Sequence, residues 1–245
     1  MFWLLVALIM SCSSQLVAQD NAGAAKPFLE KLQQAYRNAA WLNYQVKYLY
    51  ANASQPGKHI DSLSGTVQMD KNRSRYVLDG TEIIVTDKYT INIDNEGKTI
   101  YLGAVKSGPH LDPAVLLDSV LEHLQGVRTV LTTMGKSDVL TIDFPPGQAY
   151  MRMQIAIDRQ TGLLQRIGYD LRTENWLEKE QVDRPGHPAP YQTEGRVEML
   201  FSHYQHGLFN DSLFNEGNFI YKVDGRFIPA QRYKDYHIYL ASSNL

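Results

Sequence analysis

The sequence predicts a mainly β (α+β) protein: a strongly curved antiparallel sheet, or incomplete β-barrel, with helices covering its concave face. Three observations predict it. Apolar residues alternate with period two over about a dozen short segments, as half-buried strands require. Tight-turn sequences such as Asp79-Gly80 and Asp224-Gly225 join several of them. Two segments alone combine helical spacing with a start signal. A sheet of so many twisted strands curls or closes, and apolar helix stripes need an apolar surface to lie on. Such a geometry leaves room for a cavity between sheet and helices.

The first nineteen residues carry no charge, and Phe2 to Met10 is an unbroken apolar run. Its length is that of a signal-peptide core and too short to span a bilayer. Residues 1–19 read as a signal peptide ending at Ala18 or Gln19, although the first basic residue is Lys26. In Ile9-Met10-Ser11-Cys12, the cysteine has a second reading as an acylated lipoprotein residue. Residues 20–245 then form a single domain.

That domain opens with a helix from Lys26 to Trp41, with Pro27 at its first position and Phe28, Leu29, Leu32 and Tyr36 on one face. From Asn43 the period becomes two, with Tyr44, Val46, Tyr48 and Tyr50 alternating with polar residues. Further strands are predicted at Leu63–Asp70, Ser74–Leu78, Glu82–Thr86, Tyr89–Asp94, Thr99–Val105, Val127–Thr133, Val139–Phe144, Tyr150–Asp158, Leu164–Leu171, Arg196–His206, Asn218–Val223 and Arg232–Leu240. A second helix starts at Asp112-Pro113 and ends by Gly126, and Pro185 to Pro190 is a loop. Short joints make neighbouring strands antiparallel.

Twenty-four Lys and Arg against 26 Asp and Glu give a net charge of −2, which excludes a broad basic surface for nucleic acid. One cysteine excludes an intrachain disulfide framework and a cysteine zinc site. His203 and His206 lie three apart on a strand and so point to opposite faces, with no third ligand near in sequence. No Gly-x-Ser-x-Gly elbow or phosphate-cradling glycine motif occurs, and Asp70, Asp79, Asp94, Asp158 and Asp224 sit at strand ends, where Asp serves turns. The expectation is a protein without catalysis, metal or cofactor.

The strand faces carry the remaining signal. Met151, Met153, Ile155 and Ile157 share one face, as do Val197, Met199 and Phe201, and Val67 with Met69 adds to the set. Methionine adapts to chains of varied shape, and tyrosine gives an apolar wall with a polar tip. An ordinary core under the helices is one reading of these faces. The other is a ligand-binding space lined by Tyr44, Val46, Tyr48, Met151, Met153, Ile155, Met199 and Phe201.

The order of parts resembles a known family. A leader precedes an amphipathic helix that runs into a Tyr-rich strand, Phe28 to Tyr50, followed by Gly65-Thr66-Val67-Gln68-Met69-Asp70 and Arg75-Tyr76-Val77-Leu78. Then come Thr81 to Asp87, Tyr89 to Ile93, a mid-chain helix at Asp112–Gln125, and the strand, Asp-x-x-Thr-Gly turn, strand unit from Ile155 to Ile167. In this order the chain is similar to the periplasmic lipoprotein carriers, the LolA/LolB-like superfamily that includes the sensor domain RseB. The resemblance implies a half-barrel domain over 20–245, its helical lid closing an apolar cavity that takes up acyl chains of lipoproteins or other lipids without catalysis. It implies a periplasmic address, or a membrane-anchored one through Cys12, and envelope proteins as further partners. A protein-interaction or sensing module on the same fold is the alternative, with an exported hydrolase third. The tail from Asn210 to Leu245 departs from the family pattern, and no individual functional residue is carried over.

Overall fold

The computed structural model describes residues 19–20, 22–70, 72–105, 127–173, 192–207 and 210–241, with side chains from Ala25 onward. Residues 1–18 with Cys12, the expected helix at Asp112–Gln125 and the loop from Pro185 to Pro190 lie outside the described residues.

Helix α1 spans Ala22–Asn38, beginning four residues before the expected start at Lys26. Alanines precede Pro27 and favour helix, so Pro27 falls in the second turn rather than at the first position, giving up one backbone hydrogen bond. Phe28, Leu29, Leu32 and Tyr36 are buried on one side of α1. It ends before Trp41 because Trp41 already belongs to a strand.

Fifteen strands are described: β1 Gln19–Asp20, β2 Trp41–Asn52, β3 His59–Asp70, β4 Ser74–Leu78, β5 Thr81–Val85, β6 Tyr89–Asp94, β7 Thr99–Ala104, β8 Arg128–Met134, β9 Ser137–Asp143, β10 Tyr150–Asp158, β11 Leu164–Arg172, β12 Glu194–Gln205, β13 Ile220–Val223, β14 Arg226–Pro229 and β15 His237–Leu240. Thirteen form one sheet in the order β1-β8-β9-β10-β11-β12-β2-β3-β4-β5-β6-β7-β15, and β13 and β14 form a separate hairpin. This is the expected mainly β, curved sheet, and it is not closed into a barrel: β1 and β15 are its two edges. Both Asp-Gly joints are two-residue hairpins with both residues left-handed, at φ 40° and 80° for Asp79 and Gly80 and at 48° and 77° for Asp224 and Gly225.

Two expectations are corrected. The predicted strand Arg232–Leu240 splits into a 3₁₀ turn, Gln231–Tyr233, and the short β15. Tyr233 is 2 % exposed, and the turn that buries its ring interrupts the extended run. Strand β15 also pairs with β7 in parallel, His237 opposite Thr99 through Leu240 opposite Leu102, in an otherwise antiparallel sheet. The chain recrosses the sheet before joining this edge, so it arrives in the direction of β7 rather than as the second arm of a hairpin.

Residues paired across a ladder share a face, so the sides can be followed from strand to strand. Leu42, Tyr44 and Val46 of β2, Val67 of β3, Leu140 and Ile142 of β9, Met153, Ile155 and Ile157 of β10 and Phe201 of β12 pack against α1 on the concave face. Beyond β4 the opposite face becomes buried too, while Val85, which opposes Ser74, is still buried on the concave one. Tyr76 opposes Ile83, so Ile84, and with it Ile91, Ile93, Ile100 and Leu102, lies on the opposite face. There Phe214, Phe219, Ile220, Ala230 and Tyr233 of the C-terminal segment cover it as a second core.

Candidate functional site

On the concave face one row of paired residues crosses seven strands: Leu63, Tyr48, Met199, Ile167, Ile155, Leu140 and Leu131. The next row runs Tyr50, Val197, Tyr169, Met153 and Ile142. The first row is apolar or tyrosine throughout, and the second is so over its five central strands and ends in Asp61 on β3 and Thr129 on β8.

Helix α1 crosses this face at the end marked by the β10–β11 turn. Lys31 Nζ donates to the carbonyl of Arg159 at 3.0 Å and pairs with Asp138 at 3.4 Å. A Cβ built on Gly162 would stand 3.1 Å from that of Ala35, so the turn sits directly on the helix. At the helix C-terminus the Tyr36 and Tyr204 hydroxyls are 2.7 Å apart, and the Tyr204 ring lies 5.0 Å from that of Tyr44.

Strands rise about 3.3 Å per residue, so Met153 is roughly 13 Å along β10 from Ile157, away from the turn. There the face becomes aromatic. Tyr150 packs against Phe144 at 6.2 Å and Tyr169 at 5.7 Å between centroids. Tyr76 donates to Tyr48 across 3.0 Å. Tyr48, Tyr76, Tyr169, Met199 and Leu63 are half-buried, and Tyr150 is 37 % exposed. Burial, with the nearby Tyr150 and Tyr48 hydroxyls, pushes the Tyr169 phenol up to about 12. Burial also raises Tyr204, and burial with the bond to Tyr48 raises Tyr76. These phenols are neutral at physiological pH, and charge on this face lies at its margins, at Asp61 opposite Tyr50 and at Asp138 opposite Ile157, where it pairs with Lys31.

Seven of the eight residues singled out in the sequence, Tyr44, Val46, Tyr48, Met153, Ile155, Met199 and Phe201, meet in this cluster. Met151 is half-buried and lies outside it. Tyr150 opposes Leu171 and Arg152 opposes Asp170, so β10 carries an extra residue there, and the bulge gives Tyr150 the side that strict alternation assigns to Met151. Sequence reasoning missed Phe144, Tyr150, Tyr169 and Tyr76. Tyr169 was within reach, two residues from Ile167 on the same face. A second bulge lies at His203, left-handed at φ 55°, and turns Tyr204 onto the face of Phe201. His203 and His206 are both exposed, and among the described residues no three His, Cys, Asp or Glu side chains gather as a metal set. What the middle of the face offers chemically is an adaptable apolar wall with a few hydroxyl tips, its charged groups standing at the ends.

No family model and no curated protein matches this chain. Solved structures of similar fold include an uncharacterized conserved protein from Thermus thermophilus, 10 % identical, over 89 % of this chain and 99 % of that one, at a TM-score of 0.48. A LolA superfamily protein from Nitrosomonas europaea is 11 % identical over 78 % of this chain and 97 % of its own, at 0.35. A DUF1329 family protein from Desulfovibrio piger is 10 % identical over 80 % and 98 %, at 0.39. These are likenesses of fold alone.

Proposed function

We propose that this protein is an exported lipid-binding protein of the bacterial cell envelope that holds acyl chains on its concave face, in the manner of a lipoprotein carrier and without catalysis. The observation that carries the reading is the half-buried Tyr and Met surface around Tyr48, Met199 and Tyr169, with the exposed Tyr150 at its margin, which continues the apolar face along the strands. Burying a methylene gains about 0.8 kcal/mol, so eight methylenes give roughly 6 kcal/mol with no charged contact. The neutral phenols suit such a ligand, since their tips reach the polar start of a chain while the rings flank its apolar part. The periplasm is the compartment proposed, and N-terminal sequencing of the processed protein is expected to read a start near Asp20.

The deciding experiment is saturable binding of a fluorescent fatty acyl probe to delipidated protein. Met199→Lys is expected to abolish uptake, because an unpaired ammonium in this lining is costly, while the exposed Met134→Lys leaves it unchanged. Delipidated wild-type protein that binds no probe would sink the carrier reading and favour the interaction module.

A further inference from the structure

The hairpin β13–β14 stands apart from the large sheet and presents two unlike faces. Ile220 is buried, and Phe227 packs edge-on against Tyr89 at 5.6 Å, fixing the inner face to the second core. Tyr221 opposes Ile228 and Val223 opposes Arg226, so these four share the outer face. Tyr221 is 47 %, Val223 49 % and Ile228 43 % exposed. Three large apolar side chains thus stand in water together on one short element, which isolated exposed residues do not explain.

The charge around them has one sign in excess. From Ile220 to Asp235 there are four cations, Lys222, Arg226, Arg232 and Lys234, against Asp224 and Asp235, in a chain whose net charge is −2. All four cations are exposed; Arg226 shares the outer face, Lys222 lies on the inner face with its Nζ 4.8 Å over the Phe227 ring, and Arg232 stacks over Tyr233 at 5.2 Å. The left-handed Asp224-Gly225 turn holds the tip in one conformation, so little order remains to be gained on docking. Apolar and tyrosine side chains beside an arginine, on a segment with an excess of cations, are the pattern that rests in the headgroup layer of an anionic bilayer.

We propose that the outer face of the β13–β14 hairpin is a docking surface for an anionic lipid membrane. Tyr221, Val223 and Ile228 enter the interface, Arg226 on the same face meets lipid phosphates, and the other cations of the segment add longer-range attraction. The site is distinct from the concave face and stands without the acyl-chain reading.

Co-sedimentation of the full chain with vesicles tests it. Wild-type protein is expected to pellet with equimolar phosphatidylglycerol and phosphatidylcholine, far less with phosphatidylcholine alone, and to be released by raised salt. Tyr221→Ser with Ile228→Ser, and separately Arg226→Glu with Lys234→Glu, are each expected to weaken binding about tenfold or more. Both pairs are solvent-facing, and acyl-probe binding in them is expected to stay at the wild-type level, which separates this surface from the concave one. No sedimentation of wild-type protein, or equal sedimentation of wild type and both variants, would overturn the proposal. So would a vesicle-free dimer that the Tyr221→Ser, Ile228→Ser change dissociates, since the face would then serve a second copy.

Discussion

At the level of single residues, Tyr169 links burial to pH. Its phenol titrates near 10 in an unfolded chain and is held up to about 12 in the folded one, so the folded state favours the protonated form. The sign follows: the contribution is complete below pH 10 and is lost as pH rises from 10 towards 12. Two units correspond to at most about 3 kcal/mol. Urea unfolding is therefore expected to show wild-type stability falling between pH 10 and 12, with a shallower fall in Tyr169→Phe; parallel curves would mean that Tyr169 is solvated. Tyr169 also marks how far residues were legible. Faces counted by alternation hold wherever the ladder is regular, as from Met153 to Ile157, and fail at Met151 and His203, where one extra residue reverses the sides. Nothing in the local composition announces those bulges, because the flanking residues alternate on both sides of each.

Among the elements, hairpins were the most legible, since Asp-Gly joints need left-handed backbone and the sequence supplies the residues that adopt it. The second part of the tail was not. Arg232–Leu240 alternates well enough for a strand, but its Tyr233 is recruited by Phe219 and Tyr236, at ring separations of 6.3 and 5.1 Å, and tertiary contact overrides local pattern. Strand β3 gives an element-scale prediction. A Cβ on Gly65 would lie 2.5 Å from the Val77 carbonyl oxygen and 3.2 Å from a Leu78 methyl, so β3 and β4 approach as closely as they do because no side chain separates them. The obstruction is backbone, which cannot swing aside. Gly65→Ala is expected to cost about 1–3 kcal/mol, as overpacking does, and to loosen the Tyr76–Tyr48 bond that bridges this place. Chemical denaturation reads the loss, and an unchanged midpoint would show that the ladder has slack.

Over the whole molecule, the sheet is covered on opposite faces at its two ends, by α1 on the concave side and by the C-terminal segment on the other. The single curved sheet was readable because most of its strands alternate with period two and are joined by short turns. The change of covered face was not, because a short apolar run such as Ile83-Ile84-Val85 fits burial on either side. Polar clasps secure the C-terminal cover. Arg73 donates to Asp211 at 2.6 Å while stacking over Phe214, Thr86 donates to Glu216 at 2.9 Å, and Tyr236 donates to Asn95 at 2.9 Å. Their exposed parts contribute little; Asp211 is 75 % exposed, and such pairs are worth about 0–1 kcal/mol. The apolar burial dominates, since Ile84, Ile91, Ile93, Ile100 and Leu102 are all fully buried and each is worth about 1.5–3 kcal/mol. Asp211→Ala should therefore lower stability only modestly. Ending the chain at Asn210 should instead bare that aliphatic face, giving a protein that binds a hydrophobic dye and self-associates through its exposed strands. A shortened chain that stayed monomeric and dye-free would mean that β5–β7 need no cover, and that the C-terminal segment serves only to carry its outer hairpin.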